Sequence, residues 1–179
     1  MLPPVRGYIV WLLLSKRDRK TVKDWQYQLR KKFRSHEFEP HLTLLKPSEQ
    51  LSEKRIIQKL NKFSEGRESL NLEISGINGI SSPYQSFYLD IKLSGALKNF
   101  RQQLAATLDS VYNNSFNPHI SLLYGEMTEP ERKRLRTLID VKECRSITGD
   151  ALALVLCNGT PDTWEIISRI ELGGQTRFV

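Results

Sequence analysis

Two short motifs of the same residue types could carry chemistry. The first reads PHLTLL over residues 40–45, and the second reads PHISLL over residues 118–123. In each motif a histidine follows a proline and is itself followed, two residues later, by a hydroxyl side chain. The chain has three histidines, so the repeated motif uses two of them. Four residues therefore form the candidate site: His41, Thr43, His119 and Ser121.

This set of side chains suits the cleavage of a phosphodiester. In-line displacement at phosphorus needs a base on the attacking oxygen and an acid on the leaving oxygen, on opposite sides. Histidine titrates near neutral pH, so one imidazole can be neutral while the other is charged. The two hydroxyls can donate hydrogen bonds to phosphate oxygens as negative charge develops. The sequence thus predicts chemistry that is independent of metal ions and needs no cofactor.

Each motif is predicted to lie on a short β-strand. Residues i and i+2 of a strand point the same way, so each strand presents an imidazole and a hydroxyl on one face. The hydrophobic pattern around the motifs alternates between strand-like and helix-like segments. Strands are predicted over residues 7–14, 41–45, 70–80, 86–93, 119–123, 146–157 and 164–172. Helices are predicted over residues 18–33, 52–63, 95–112 and 128–139.

The order of these segments repeats along the chain. His119 lies 78 residues after His41, and the same offset relates the hydroxyl residues and the leucines of the two motifs. This indicates an internal duplication. We therefore expect a single domain over residues 1–179 of the α+β class, bilobal, with two pseudo-symmetric lobes of sheet and helix around a central groove. The lobes would cover about residues 1–80 and 81–179, and strands could be exchanged between them.

The composition is that of an ordinary globular protein, with 39% hydrophobic and 26% charged residues. A net charge of +7 favours an anionic partner but equally fits a solvated surface. The longest apolar run, residues 8–14, is too short to cross a bilayer and has no signal-peptide features. We expect a cytoplasmic protein without a membrane span, and leave Golgi association open. The two cysteines, Cys144 and Cys157, are expected to be free thiols.

The two motifs resemble those of the two-histidine (2H) phosphoesterase superfamily, which is marked by a pair of His-x-[Ser/Thr]-hydrophobic tetrads. Within it, the chain is most similar to the fungal and plant 2',3'-cyclic-nucleotide 3'-phosphodiesterases, through YIVW at residues 8–11 and Tyr124-Gly125 after the second tetrad. The resemblance implies hydrolysis of ADP-ribose 1'',2''-cyclic phosphate to ADP-ribose 1''-phosphate. This reaction belongs to the metabolism of tRNA-splicing by-products. It also implies opening of nucleoside 2',3'-cyclic phosphates to 2'-phosphates.

The resemblance also implies a role for each site residue. His41 would be the proton donor and His119 the proton acceptor, while Thr43 and Ser121 would hold the phosphate oxygens. Trp11 and Tyr124 would line the groove and contact substrate. The residues themselves do not decide which histidine is the acid. They also leave Trp11 evenly divided between core packing and substrate contact.

Two other functions remain open at this point. A 2'-5' RNA ligase-like protein would act on RNA ends, and Lys46 directly after the first tetrad favours it. Tyr124 after the second tetrad favours a groove for a small cyclic nucleotide. A non-catalytic AMP- or RNA-binding module is the third reading, and the two intact tetrads argue against it. We expect a monomer whose partner is a small cyclic phosphate, with RNA ends as the alternative.

Overall fold

The structure is a computed structural model that describes residues 2–111, 115–142 and 144–173. Its strands are β1 (Val5–Leu14), β2 (His41–Leu45), β3 (Leu70–Asn78), β4 (Phe87–Ile91), β5 (His119–Leu123), β6 (Ser146–Gly159) and β7 (Glu165–Glu171). Its helices are α1 (Lys16–Arg30), α2 (Glu53–Ser64), α3 (Gly95–Thr107) and α4 (Glu129–Arg136), and a 3₁₀ turn spans Pro161–Thr163.

The strands form one antiparallel sheet that closes on itself. They pair in the order β1-β2-β5-β4-β3-β6-β7, and β1 also pairs with β6. Six strands therefore make a barrel-like ring, and β7 lies outside the ring. The long strand β6 makes this possible, because it pairs with β3 up to Gly149 and with β7 from Ala151 onwards.

The two faces of the sheet pack against different surroundings. On β6, Leu152 and Leu154 belong to the main hydrophobic core, which includes the apolar residues of the helices. The alternate residue Ala153 faces the other way and packs in a smaller cluster with Trp11 and Leu13 of β1. This alternation follows from the two-residue period of a strand. It leaves the second face free to carry a site.

Local signals fix where the helices begin. The side-chain oxygens of Ser15, Ser52 and Ser94 each accept a hydrogen bond from the backbone N–H three residues later. In α4 the carboxylate of Glu131 accepts from the backbone N–H of Thr128. Such caps each contribute about 1 kcal/mol, because they satisfy an N–H group that has no partner within the helix.

The structure confirms a mixed α and β fold and corrects some boundaries. The strands of both tetrads have the predicted bounds. Helix α3 ends at Thr107, before the predicted end at Tyr112, which lies outside the described residues. The reason is Asp109, whose φ of 50° places it in the left-handed region and ends the helix. Within the described residues, no helix is both long and apolar enough to cross a membrane.

The element order and the pairing both repeat. The succession strand, helix, strand, helix, strand runs from β1 to β3 and again from β4 to β6. The third strand of each half pairs with the first strand of the other half, since β3 pairs with β4 and β6 pairs with β1. The division into two lobes near residue 80, and an axis relating them, stay predictions.

Gly149 provides a test of this packing. A Cβ added at Gly149 would lie 2.5 Å from Cδ2 of Leu12, which is fully buried. We expect Gly149→Ala to lower the free energy of unfolding by about 1–3 kcal/mol through overpacking. Gly95→Ala is the matched control, because Gly95 opens α3 with no atom within 4 Å of an added Cβ. It should raise stability slightly. Urea unfolding of both variants measures the difference, and an unchanged midpoint for Gly149→Ala would contradict the β1–β6 packing.

Candidate active site

A groove lies on the sheet face opposite the main core, with a volume of about 260 Å³. All six residues that the sequence analysis assigned to the site line it, together with residues from other segments. The lining residues are Val5, Ile9, Trp11, His41, Thr43, Tyr84, Gln85, His119, Ser121, Tyr124 and Trp164. A second cavity, of about 700 Å³, shares Tyr124 with the groove but includes neither tetrad histidine.

The two tetrads are neighbours because β2 pairs with β5. The pairing is antiparallel, with Leu42 opposite Ile120. Extended by one residue in each direction, this register sets His41 opposite Ser121 and Thr43 opposite His119. Each imidazole therefore has a hydroxyl two residues along its own strand and another across the strand pair. The four side chains surround one small volume.

The same hydrogen bond orients both imidazoles. Nδ1 of His41 lies 2.6 Å from the carbonyl oxygen of Glu39, and Nδ1 of His119 lies 2.8 Å from that of Asn117. A carbonyl oxygen can only accept, so Nδ1 carries the proton in both rings. Nε2 is then the nitrogen available to the groove, as a base in the neutral ring and as a donor in the charged ring.

His41 sits in an apolar environment. It is 5% exposed, and its ring stacks on the indole of Trp11 with the centroids 3.5 Å apart and the planes at 7°. The pKa of His41 is lowered to about 4, mainly by burial and in part by the charge of His119. Trp11 is only 3% exposed. It packs in the small cluster with Leu13 and Ala153 and stacks on His41, so it supports the His41 ring besides lining the groove.

His119 has a more polar environment. Burial lowers the pKa of His119, but the carboxylate of Asp90, its cross-strand partner on β4, acts in the opposite direction. The ring of Tyr88 lies beside His119, with centroids 4.9 Å apart. Leu13 occupies the position opposite His41 that corresponds to Asp90. The two halves of the site therefore share a geometry but differ in charge.

The hydroxyls of the tetrads differ in exposure. Thr43 is exposed at the groove, whereas Ser121 is 6% exposed and its Oγ donates to the carbonyl oxygen of Tyr84 at 3.2 Å.

Tyr124 is also buried, with its ring stacked on Phe38 at 3.9 Å between centroids. Burial raises the pKa of Tyr124, so its phenol stays protonated at neutral pH.

The loops before the two tetrads are anchored to the preceding helices. The carboxylate of Glu39, whose carbonyl holds His41, forms ion pairs with Arg19 and with Lys23 of α1, the latter at 3.1 Å. Before the second tetrad, the guanidinium of Arg101 of α3 lies 4.2 Å from the ring centre of Phe116. Within the described residues, no group of three or more His, Cys, Asp or Glu side chains is arranged to hold a metal ion.

The sequence model of the 2'-5' RNA ligase superfamily matches residues 14–160, a span that contains both tetrads. The chain belongs to the 2'-5' RNA ligase superfamily. This confirms the 2H phosphoesterase resemblance, whereas the finer resemblance to the fungal and plant cyclic phosphodiesterases stays a hypothesis. No curated protein matches the sequence. Superfamily members are phosphoesterases and ligases that act on phosphodiester bonds.

Solved structures share the fold of this superfamily member at low sequence identity. The protein TT0787 of Thermus thermophilus has a TM-score of 0.65 and 16% identity, over 96% of this chain and 100% of its own. E. coli LigT in its apo form has a TM-score of 0.63 and 15% identity, over 96% and 99%. A structure described as a phosphoesterase has a TM-score of 0.63 and 14% identity, over 94% and 99%.

Several residues in or beside the groove of this superfamily member escaped the sequence analysis. Tyr88 and Asp90 alternate on β4 with Phe87, Leu89 and Ile91 of the main core, so their shared face was visible, but their position beside His119 depends on the β4–β5 register. Tyr84 and Trp164 lie in a loop and at the end of a turn, where no periodicity marks them. Trp164 reaches the groove only because β7 folds back along β6.

The electrostatic difference between the histidines can be measured directly. Asp90→Asn removes the carboxylate that favours the charged form of His119, so we expect the pKa of His119 to fall further while that of His41 stays the same. NMR titration of the imidazole signals provides the readout. Asp24→Asn, an exposed position on α1, serves as the control. An unchanged pKa for His119 would mean that Asp90 does not act on this ring.

Proposed function

We propose that this protein is a metal-independent phosphodiesterase that opens cyclic phosphates. Its substrates would be ADP-ribose 1'',2''-cyclic phosphate, converted to ADP-ribose 1''-phosphate, and nucleoside 2',3'-cyclic phosphates, converted to nucleoside 2'-phosphates. The first reaction would belong to the metabolism of tRNA-splicing by-products.

One observation carries the proposal: two imidazoles share a small groove, and each has its Nδ1 proton bound to a backbone carbonyl. Both rings therefore present Nε2, the atom that can take up or release a proton during in-line displacement. The hydroxyls of Thr43 and Ser121 line the same groove and would donate to the phosphate oxygens, for which the Ser121 hydroxyl would have to turn away from the Tyr84 carbonyl.

The hydrolysis consumes one water molecule for each cyclic phosphate that is opened. Nε2 of His119 takes a proton from the water as its oxygen bonds to phosphorus. The bond from phosphorus to O3' breaks in a nucleoside 2',3'-cyclic phosphate, or that to O2'' in ADP-ribose 1'',2''-cyclic phosphate, and Nε2 of His41 gives its proton to the departing oxygen. In the protein without ligand, burial lowers the pKa of His41 and Asp90 favours the charged form of His119, which is the reverse of these roles. The donor role of His41 therefore requires that the negative charge of the bound phosphate raise its pKa. The resemblance to the cyclic phosphodiesterases assigns these roles.

The structural neighbours support nucleotides as the ligand class. E. coli LigT has been solved in complexes with ATP, with phosphate, with 3'-AMP and with NADP+. Each of these ligands contains phosphate, and three of them contain adenosine. By analogy, we infer that the groove of this chain accepts a phosphate attached to a nucleoside.

The family name favours a second candidate, action on RNA ends that carry a cyclic phosphate. Lys46, which favoured it in the sequence, pairs with Glu49 at 2.7 Å and does not line the groove in the described part of the chain. Assaying a cyclic mononucleotide beside an RNA with a 2',3'-cyclic phosphate end separates the two candidates. Preference for the mononucleotide supports the proposal, whereas turnover of the RNA alone would replace it.

Single histidine variants test both the enzyme and the two roles. His41→Ala and His119→Ala should each lower kcat about 10²–10⁴-fold, the usual contribution of a general acid or base. The residual activity of His119→Ala should fall as pH rises through the pKa of His41, because the remaining ring must be protonated. That of His41→Ala should rise with pH through the pKa of His119, because that ring must be neutral. Assays run with a chelator and with product identification give these profiles.

The outcomes separate three readings. If the residual activity of each variant changes with pH in the direction opposite to that expected, His41 is the base and His119 is the acid. Loss of activity in the chelator, restored by a divalent ion, would contradict the metal-independent mechanism. A wild-type protein that binds nucleotides but opens no cyclic phosphate would support the non-catalytic module instead.

The two hydroxyls should contribute unequally. Thr43→Ala removes only a donor that faces the groove, so we expect a rate loss below the 10²–10³-fold seen for the strongest oxyanion donors. Ser121→Ala removes a hydroxyl that holds the Tyr84 carbonyl in the protein without ligand and would have to exchange that partner for phosphate, so both the loop and the phosphate contact are affected and its loss should be larger. Thr43→Ser and Ser121→Thr keep the hydroxyls and serve as controls. Wild-type kinetics in both alanine variants would show that neither hydroxyl contacts phosphate.

A further inference from the structure

Each tetrad strand contains a β-bulge one residue after its hydroxyl. In the pairing of β2 with β1, Leu44 is skipped, because consecutive residues of β1 lie opposite its two neighbours. Leu122 of β5 is skipped in the same way in the pairing with β4. The two skipped residues are 78 apart, as the two histidines are. A bulge interrupts the ladder of hydrogen bonds and bends its strand, so the backbone near both hydroxyls needs other support.

The two tetrad strands are joined to each other by a short pairing. Among the residues that the structure describes, their register covers one pair, Leu42 opposite Ile120. By contrast, β1 pairs with β6 along its whole length, Val5–Leu14. The distance between the two tetrads therefore depends on contacts other than the ladder between β2 and β5.

Two buried polar side chains reach the tetrad strands from the helices. Gln26 of α1 is 1% exposed, and its Nε2 donates to the carbonyl oxygen of Ser121 at 3.3 Å. Arg101 of α3 is 7% exposed, and its Nε donates at 2.8 Å to the carbonyl oxygen of Leu44, the skipped residue of β2. The contacts cross between the halves of the chain, because α1 holds β5 and α3 holds β2.

These two positions would otherwise favour apolar residues. A buried amide or guanidinium loses its hydration and stabilises the fold only through the partners that it finds, whereas an apolar side chain has no such requirement. Arg101 also lies over the ring of Phe116, in the loop before the second tetrad, so one side chain contacts segments of both tetrads. The buried polar groups thus serve the tetrad strands in particular.

We propose that Gln26 and Arg101 are positioning residues, which set the spacing of the two tetrads and so align both imidazoles with the phosphorus. This inference rests on the proposed function, because in-line displacement needs the base, the phosphorus and the acid in one line. In the described part of the chain neither side chain lines the groove, so both act through the backbone of β2 and β5. A misplacement of about 1 Å at a reacting group can cost about 10²-fold in rate.

The first test compares turnover with substrate affinity. Gln26→Met and Arg101→Met remove the donors and keep long side chains. Each should lower kcat about 10- to 100-fold, through misalignment, and change KM less than about twofold, because the groove residues remain. Gln28→Met and Arg55→Met, at exposed positions on α1 and α2, are the matched controls and should leave both constants unchanged.

Conservative variants show whether the donor itself is required. Arg101→Lys keeps a charged donor and should recover part of the lost rate. Gln26→Glu keeps the shape, but the introduced carboxyl can donate only while protonated, so kcat should fall as pH rises through its pKa. Thermal melts at each pH show which variants are folded. Without recovery in folded Arg101→Lys, or without the new pH limb in folded Gln26→Glu, the donor role is wrong for that residue.

A double-mutant cycle separates positioning from a general loss of stability. Because Gln26 acts at Ser121, Gln26→Met should cost about threefold less, or better, in a Ser121→Ala background than in a Thr43→Ala background. A structural role would lower the rate by the same factor in both backgrounds. Equal factors, or a wild-type kcat in the folded single variant, would overturn the proposal for Gln26.

NMR of the imidazoles separates failure of this inference from failure of the proposed function. Gln26→Met and Arg101→Met should shift the signals of His41 and His119, and the control variants should leave them in place. If wild type opens no cyclic phosphate but the signals shift, the hydrolase proposal is wrong and the positioning role stands. If the folded variants leave both imidazoles unchanged, the positioning role is wrong, whatever the activity of wild type.

Discussion

The contact between β2 and β5 is the constraint on which the site depends. Leu42 and Ile120 are fully buried, and their pairing fixes the register of the two strands that carry the histidines. A slip of either strand by one residue would turn its imidazole towards the main core, because successive side chains alternate between faces. The apolar residues of the tetrads thus do as much for the chemistry as the polar ones. They determine that the imidazoles lie on the groove face of the barrel-like sheet and not on its core face.

A symmetric motif has produced an asymmetric pair of histidines. Both rings use the same hydrogen bond to a carbonyl two residues earlier, so their tautomers agree. Their neighbours across the strand differ, with Leu13 beside one and Asp90 beside the other. Their aromatic contacts differ too, because His41 stacks flat on Trp11 and His119 lies at 53° to Tyr88. A pair of groups with opposite tasks requires unequal proton affinity, but in the protein without ligand the less basic ring is His41, the proposed donor.

The sequence predicted the elements and the tetrads because both depend on local patterns. The strands of the two motifs were predicted to the residue, and helix ends were missed where a single residue changed the backbone, as at Asp109. The asymmetry between the histidines could not be predicted, because it depends on which β4 residue lies opposite His119. Nor could the stacking of Tyr84 on Trp164 beside the groove, because the two rings meet only after distant segments pack together.

The exchange of strands has a consequence for how such a chain can fold. Residues up to the end of β3 contain two strands, β1 and β3, whose partners β6 and β4 lie in the other half of the chain. Either half alone would expose unpaired strand edges, which invite association with other chains. A polypeptide of half this length could satisfy those edges only by trading strands with a second copy of itself. With both halves in one chain, the missing partners of β1 and β3 are supplied by the same polypeptide.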